Sequence, residues 1–429
     1  MKYVIIGSSA AGLSALETIR KYDTHSNITI VTADSARPHS RILTSYLIGD
    51  QIAEENIFLR SPDYFDEMGV EVLDRCRAEE INSDKKELIL SSGEKISYDK
   101  LLIATGSSPK MPDYNGKELK GVFNLRDYGD VIKIKSYLND VRVEHCFILG
   151  GGLVGMKATE AFYNLNKKVT IIIRSPQVLS QMLDPEAAFL VEKYLKSKGI
   201  NIMTGESPAE IIGNEHVKQI KLQSGKTLTG ELVLVGKGVR PNTDFVNGEV
   251  ELNKYGEIIV DQKMQTGTEN IFAAGDVVSA PDFLEDGNSA YAIWPDAIWQ
   301  GKTAAKNMLN IESSYEGGLN LNALKIIDLL FYAVGKVQLN DEEKEKYNVY
   351  VRNEPGKGIY RKLVFSGHRL IGAITIGQTD DIGVLYLLIK KQIEIENRAK
   401  HILKHGINYA ELMKEKVLLK TANFELTIV

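Results

Sequence analysis

Residues 2–12 read KYVIIGSSAAG: a short apolar run that ends in glycine, serine and alanine. An apolar run bounded at once by small turn residues reads as a buried strand entering a tight turn. Residues 13–21 then have helical spacing and residues 28–31 are β-like, so the segment predicts a strand–turn–helix–strand unit. The same order returns at residues 146–155, CFILGGGLVG, with a helical stretch at 156–164 and a strand at 169–173. Each copy has about the size of a mononucleotide-binding half.

The repeat extends further. Residues 100–104 run into Thr105-Gly106-Ser107-Ser108-Pro109, and residues 231–235 run into Gly236-Lys237-Gly238-Val239-Arg240-Pro241. Both are apolar strands that end in a glycine turn and then a proline. Two similarities in matching order predict two domains of related architecture. Short alternating strands at 87–90 and 219–222, followed by Ser92-Gly93 and Ser224-Gly225, predict a β-meander inserted in each. A boundary is expected at residues 310–319, NIESSYEGGL, which are polar and carry glycine. Beyond it lie predicted strands at 360–365 and 370–376 and helix-like stretches at 383–391 and 409–416. The expected fold class is α/β: two Rossmann-like three-layer nucleotide-binding domains plus a smaller C-terminal α+β domain. The first domain takes residues 1–115 and 241–318, the second 116–240 and the third 319–429.

Composition narrows the function. A chain of 429 residues with 43% hydrophobic and 25% charged residues has the make-up of a soluble protein with several cores. A net charge of −5 gives no electrostatic case for a nucleic-acid partner. No run approaches 18 apolar residues and the start of the chain has no signal-peptide pattern, so no membrane association is expected and the location is expected to be cytoplasmic. Only Cys76 and Cys146 are present, too few for a four-thiolate iron–sulfur cluster or a disulfide framework. Both are expected to be buried structural thiols.

A G-x-G-x-x-G turn lets the backbone approach a pyrophosphate, and the helix that follows offers free N–H groups and a positive dipole end. The second copy has this spacing at Gly150, Gly152 and Gly155. The first copy has Ser9 in place of the middle glycine; serine is small enough to permit the approach, and its hydroxyl can add a hydrogen bond. A third stretch, IFAAGDV at 271–277, is an apolar strand ending in Gly275-Asp276, which brings a carboxylate towards a polyol.

Taken in order, the turn at 7–12, YDKLLIATGSSP (98–109), VFNLRDYGD (122–130), the turn at 150–155, GVRPN (238–242) and IFAAGDV resemble the pyridine nucleotide–disulfide oxidoreductase superfamily over about residues 1–318. The resemblance implies FAD in the first domain and NAD(P)H in the second. It places Gly7, Ser9, Ala10, Ala11 and Gly12 at the FAD pyrophosphate, Asp276 at the ribityl chain, Ala78 at the adenine and Thr105 and Gly106 beside the cofactor. Arg41, Arg126, Gly275 and Pro295 complete the implied FAD set, and Asp34 is expected to reach the ribose because Thr32 occupies the usual position of the acid. Leu153, Val154, Gly236 and Gly238 join the three glycines of the second turn at the nicotinamide nucleotide. The stretch Trp294-Pro295-Asp296 is expected to begin a helix facing the flavin pyrimidine, with Asp296 turned to solvent or a partner.

The chain departs from that pattern in three places. Residues 37–47, RPHSRILTSYL, contain no redox cysteine, which removes a dithiol or sulfenate mechanism. Within them, SRILTSYL resembles the flavin domains of nitrite reductases and NADH:rubredoxin reductases. The stretches IWPDAIWQGKTAAKNM (293–308) and YEGGLNLNALKI (315–326) resemble FAD subunits of anaerobic aldehyde and phenylglyoxylate-type oxidoreductase complexes, as do the motifs of the third domain. Lys157 stands where much of the family has a glutamate; it is expected either to set a positive charge near the flavin edge or to be a surface lysine. At the end of the second-domain strand, Ile173 replaces the ribose-binding acid and Arg174 follows, which opens the site to a 2′-phosphate or loosens its selectivity.

The expectation is an NAD(P)H-linked FAD oxidoreductase that exchanges single electrons with a rubredoxin-like or iron–sulfur partner. It is expected to be a subunit of a hetero-oligomer or a homodimer. Two rivals stand beside it: an FAD subunit with mainly an assembly role, and a soluble NAD(P)H oxidase.

Overall fold

A computed structural model of the protein describes residues 1–35 and 37–414. The chain divides into two compact units, one made of Met1–Gly150, Lys157–Ile172 and Glu206–Leu319, the other of Gly151–Met156, Ile173–Gly205 and the chain from Asn320 on.

The first unit holds one predicted sheet and the central strands of the other. One is parallel throughout, in the order Ile271–Ala273, Lys100–Ile103, Lys2–Ile6, Asn27–Val31, Glu71–Leu73. Its central strand sets Ile5 against Ile30 on one side and Leu102 on the other, and all three are fully buried. Strands this apolar along their whole length suit a sheet covered on both faces. The helix Ala10–Tyr22 covers it with Leu13, Leu16 and Ile19, and the helix Trp294–Met308 packs along that helix, where Ser14 Oγ donates to the Ile298 carbonyl at 3.1 Å. The other sheet centres on His145–Leu149, between Lys168–Ile173 and Leu232–Val235, with Val122–Phe123 beyond, again all parallel. Each repeat carries its antiparallel meander: Ala78–Asn82, Glu87–Leu90 and Lys95–Ser97 in one, Pro208–Gly213, Val217–Leu222 and Thr227–Thr229 in the other.

The two proline-ended stretches of the repeat pair with each other. Ser107–Pro109 runs antiparallel to Val239–Pro241, with Ser108 opposite Arg240. A likeness that the sequence shows only as repetition is thus a physical contact.

In the second unit, five antiparallel strands lie in the order Leu321–Ile326, Leu329–Gly335, Arg369–Ile376, Ile359–Ser366, Asn348–Glu354. The helices Ile382–Lys390 and Ala399–His405 pack on this sheet. Arg361, 1% exposed, forms a two-pronged ion pair with Asp381 at 3.0 and 2.6 Å. The same unit contains the helix Pro185–Ser197, which has proline in its first turn and Asp184 as its cap; Asp184 Oδ1 accepts from the Ala187 N–H at 3.1 Å. The other oxygen of that carboxylate accepts from the Tyr360 hydroxyl at 2.6 Å and from Lys362 Nζ at 3.0 Å. The last helix runs Tyr409–Lys414; residues 415 and 416 of the predicted helix lie outside the described residues. Among the described residues no helix is long and apolar enough to cross a membrane.

Candidate functional site

The first glycine turn opens on a cavity of ≈ 800 Å³ in the first unit, within the range of about 300–1,000 Å³ typical of small-molecule and cofactor sites. Gly7 is what lets the chain turn there: its φ is +114°, and an added Cβ would sit 2.2 Å from the Ala104 carbonyl oxygen. Ser9, in extended conformation, precedes the helix Ala10–Tyr22, whose first turn carries no acidic residue. The free N–H groups of Ala10 and Ala11 are therefore presented at the wall without a competing anion. Ser8 Oγ donates to Thr32 Oγ1 at 3.1 Å, which ties this turn to the end of the neighbouring strand.

Most of the expected FAD residues share this cavity: Gly7, Ser9, Ala10, Ala11, Thr32, Asp34, Arg41, Ala78, Thr105, Gly106, Arg126, Gly275 and Asp276 all line it. Gly12 and Pro295 do not. Gly12 is buried against the Gly7 carbonyl, and Trp294 and Ala297 line the wall at the helix start in place of Pro295. Two ion pairs stand on the wall, Arg41 with Asp34 and Arg126 with Asp276, each at 2.7 Å. Asp130, also on the wall, accepts from the Arg126 N–H, yet burial, and then the neighbouring Asp127 charge, push its carboxyl above the usual range. Arg126 Nε and Asn124 Oδ1 are buried with no hydrogen-bond partner among the described residues. Since a buried polar atom seeks a partner, these two offer a donor and an acceptor to a polar guest. Narrow turn, helix N-terminus, arginines and unmet polar atoms all fit a bulky pyrophosphate-bearing cofactor.

Asn242 is a residue the sequence reading missed. Its Nδ2 donates to the Thr105 carbonyl at 2.9 Å, its Oδ1 accepts from Ser108 at 2.7 Å, and its carbonyl accepts from Thr105 Oγ1 at 2.8 Å. It fastens the cavity's Thr105-Gly106 edge to the chain after Pro241. The signal was there in the repeated glycine-to-proline stretches, but not the fact that they meet.

Two expectations are corrected. Cys76 is not a buried strand thiol. A turn with Arg75 at positive φ breaks the chain just before it, and the cysteine is half-buried on the cavity wall, its N–H donating to the Thr32 carbonyl at 3.0 Å. Cys146 is buried as expected, and burial raises its thiol well above the ordinary value. Asp296 does not face solvent: it is 6% exposed, and its Oδ2 is buried with no hydrogen-bond partner among the described residues. Its place in the helix's first turn directs it inward, behind Trp294 and Ala297.

Lys157 is neither on the cavity wall nor a surface lysine. Its side chain is 15% exposed, pairs with the buried Glu160 one turn along and lies 4.0 Å over the Tyr46 ring. The positive charge expected there is balanced by a carboxylate.

At the second glycine turn, Gly150 has φ +138° and an added Cβ would meet the Gly236 carbonyl oxygen at 2.1 Å. The tight turn is therefore required by the backbone of the adjacent strand end. Nothing stands within 4 Å of a Cβ built on Gly152 or Gly238, Gly155 is buried, and Leu153 and Val154 are exposed at the start of the helix Leu153–Asn164. Ile173 is buried at its strand end and Arg174, next along the chain, is exposed.

Comparison with known proteins agrees with this geometry. Residues 1–301 match the pyridine nucleotide-disulphide oxidoreductase family, and residues 321–393 match the rubredoxin NAD+ reductase C-terminal domain. The chain is 32% identical over 397 residues to the NADH-dependent phenylglyoxylate dehydrogenase subunit epsilon of Aromatoleum evansii, covering 92% of each chain. It is 30% identical over 419 residues to an NADH oxidase of Methanocaldococcus jannaschii, covering 93% of each. Among solved structures, a NAD-dependent persulfide reductase from A. fulgidus superposes with a TM-score of 0.87 at 25% identity, over 97% of this chain and 84% of that one.

Proposed function

This chain belongs to the pyridine nucleotide-disulphide oxidoreductase family, whose members use FAD and NAD(P)H, and on that footing we propose that it is an FAD-dependent oxidoreductase linking NAD(P)H to a one-electron carrier protein of rubredoxin or iron–sulfur type. The observation that carries the reading is the cavity at the Gly7 turn, with its helix N-terminus, its ion-paired Arg41 and Arg126 and its unmet Arg126 and Asn124 atoms. When bound in this cavity, FAD would supply the redox chemistry that links a two-electron nicotinamide donor to a one-electron carrier.

The protein's own residues bind and orient. The N–H groups after Ser9 would hold the pyrophosphate, with Arg41 balancing its charge. Asp276, already fixed by Arg126 and Ser107, would take the polyol. The helix Trp294–Met308 would set its positive end towards the cofactor. Gly150, Gly152 and Gly155 would receive the nicotinamide nucleotide, and the exposed Arg174 after buried Ile173 favours acceptance of NADPH alongside NADH. Hydride transfer needs proximity and alignment rather than a nucleophile, in keeping with residues 37–47 carrying no cysteine.

An anaerobic titration of the flavin-loaded protein with NADH and NADPH tests the first half-reaction. Bleaching of the flavin absorbance within seconds is expected, and no bleaching with either nucleotide overturns the reading. The second half-reaction is tested by comparing turnover with rubredoxin, with a ferredoxin and with oxygen. Faster turnover with oxygen than with either carrier would make this an oxidase instead.

A further inference from the structure

The helix Trp294–Met308 starts at the cavity, with Trp294 and Ala297 on the wall. Between them in the same turn is Asp296, a buried carboxylate close enough to Tyr315 to act on its phenol electrostatically. Tyr315 is buried too; burial first, and the Asp296 charge next, push its phenol above the ordinary value. Gln300, one turn along, approaches the same hydroxyl with Nε2 at 3.5 Å, while its Oε1 accepts from the Gly275 N–H at 2.8 Å. Gly275 and Asp276 are again cavity wall. A connected set of buried polar groups therefore runs directly behind the end of the cavity where this helix begins.

The N-terminus of a helix carries the equivalent of about half a positive charge. That field favours any negative charge which arrives in the cavity, including the charge that electrons bring to a bound flavin. A carboxylate within the first turn offsets it, and burial keeps the offset from being screened by water or salt. The usual first-turn acid sits in solvent and stabilises its helix. Asp296 is instead held out of water, at a desolvation cost. An asparagine would fill the same space without that cost, so what distinguishes the aspartate is its charge.

We propose that Asp296 is a positioning residue whose charge, buried in the first turn of this helix, lowers the reduction potential of FAD bound in the adjacent cavity. It makes the reduced cofactor a stronger donor to a carrier protein. The proposal rests on the reading of this cavity as the FAD site.

The test is an anaerobic spectroelectrochemical titration of the flavin-loaded protein, its Asp296→Asn variant and its Tyr315→Phe variant. Asp296→Asn is expected to move the midpoint potential to the positive side. The shift should correspond to about a tenfold change in the reduced-to-oxidised ratio, or about 30 mV for a two-electron couple. Tyr315→Phe keeps the carboxylate and is expected to move it much less. Asp296→Ser, also uncharged, replaces the asparagine variant if that one does not fold. An unshifted potential in the uncharged variants, or an equal shift in Tyr315→Phe, overturns the proposal. A protein that takes up no FAD overturns both this and the underlying reading, and is recognised by the missing flavin spectrum before any potential is measured.

Discussion

Individual side chains give the sharpest tests. Asp276 is held by Arg126 and by Ser107 at the cavity wall. Asp276→Ala removes one charged partner and leaves the guanidinium unbalanced, so FAD retention is expected to fall by about 1.5–3 kcal/mol of binding, read as flavin content after gel filtration. Cys76 lines the same cavity but has no cysteine partner, so Cys76→Ala is expected to keep both its flavin and its rate of reduction by NADH, with a stability change under about 0.5 kcal/mol. A large loss of the reduction rate would restore a role for sulfur. His39 gives a pH signature. Its Nε2 accepts from the Tyr128 N–H at 3.2 Å, and burial, then the Arg41 charge, lowers its tendency to protonate. The folded value therefore lies below the unfolded one of about 6.5. The neutral ring's contribution to stability is complete above that pH and is lost as pH falls from about 6.5 through the folded value. Thermal unfolding should show the melting temperature dropping over this window, and His39→Gln should flatten that part of the profile. Asp34 and Asp276 were legible in the sequence by position, whereas Asp130 on the same wall and the burial of Asp296 were not: polarity alone argued for solvent.

At the scale of elements, the two glycine turns are built alike and should fail differently. A Cβ on Gly7 collides with the Ala104 carbonyl, and one on Gly150 with the Gly236 carbonyl; both residues also need a left-handed backbone. Strain of this kind costs about 1–3 kcal/mol before any clash is counted. Gly7→Ala is expected to purify without FAD, whereas Gly150→Ala should keep FAD and lose rapid reduction by NADH, with a raised KM in steady-state assays. The opposite pattern would exchange the roles of the two turns. These turns were readable because glycine is placed there by sterics that act within a few residues. The Asn242 fastening was not, because it depends on Ser107–Pro109 pairing with Val239–Pro241, more than a hundred residues away. Nor was the break at Arg75 that turns Cys76 onto the cavity, since a positive φ at an arginine leaves no mark on composition.

For the molecule as a whole, the repeated strand–turn–helix order was enough to give the α/β architecture, because apolar strands and small turn residues report it locally. The C-terminal sheet showed its strands but not what holds it together. Arg361 and Asp381 are buried partners 20 residues apart, and Asp381→Ala would leave a guanidinium with 1% exposure uncompensated. A loss of about 3–5 kcal/mol is expected in denaturant unfolding, against little change for Arg369→Ala, whose ion pair with Glu394 is exposed. Asp184 adds a condition of another kind. One carboxylate both caps the helix Pro185–Ser197 and receives Tyr360 and Lys362. Anyone building chimaeras from relatives of this protein would be tempted to cut at Leu319, where the chain is plain coil. A graft joined there inherits a lysine and a tyrosine selected for a carboxylate that remains with the other parent. Donor segments should therefore travel as a pair, residues 173–205 together with everything after 319, so that the cap and the groups it serves share one ancestry.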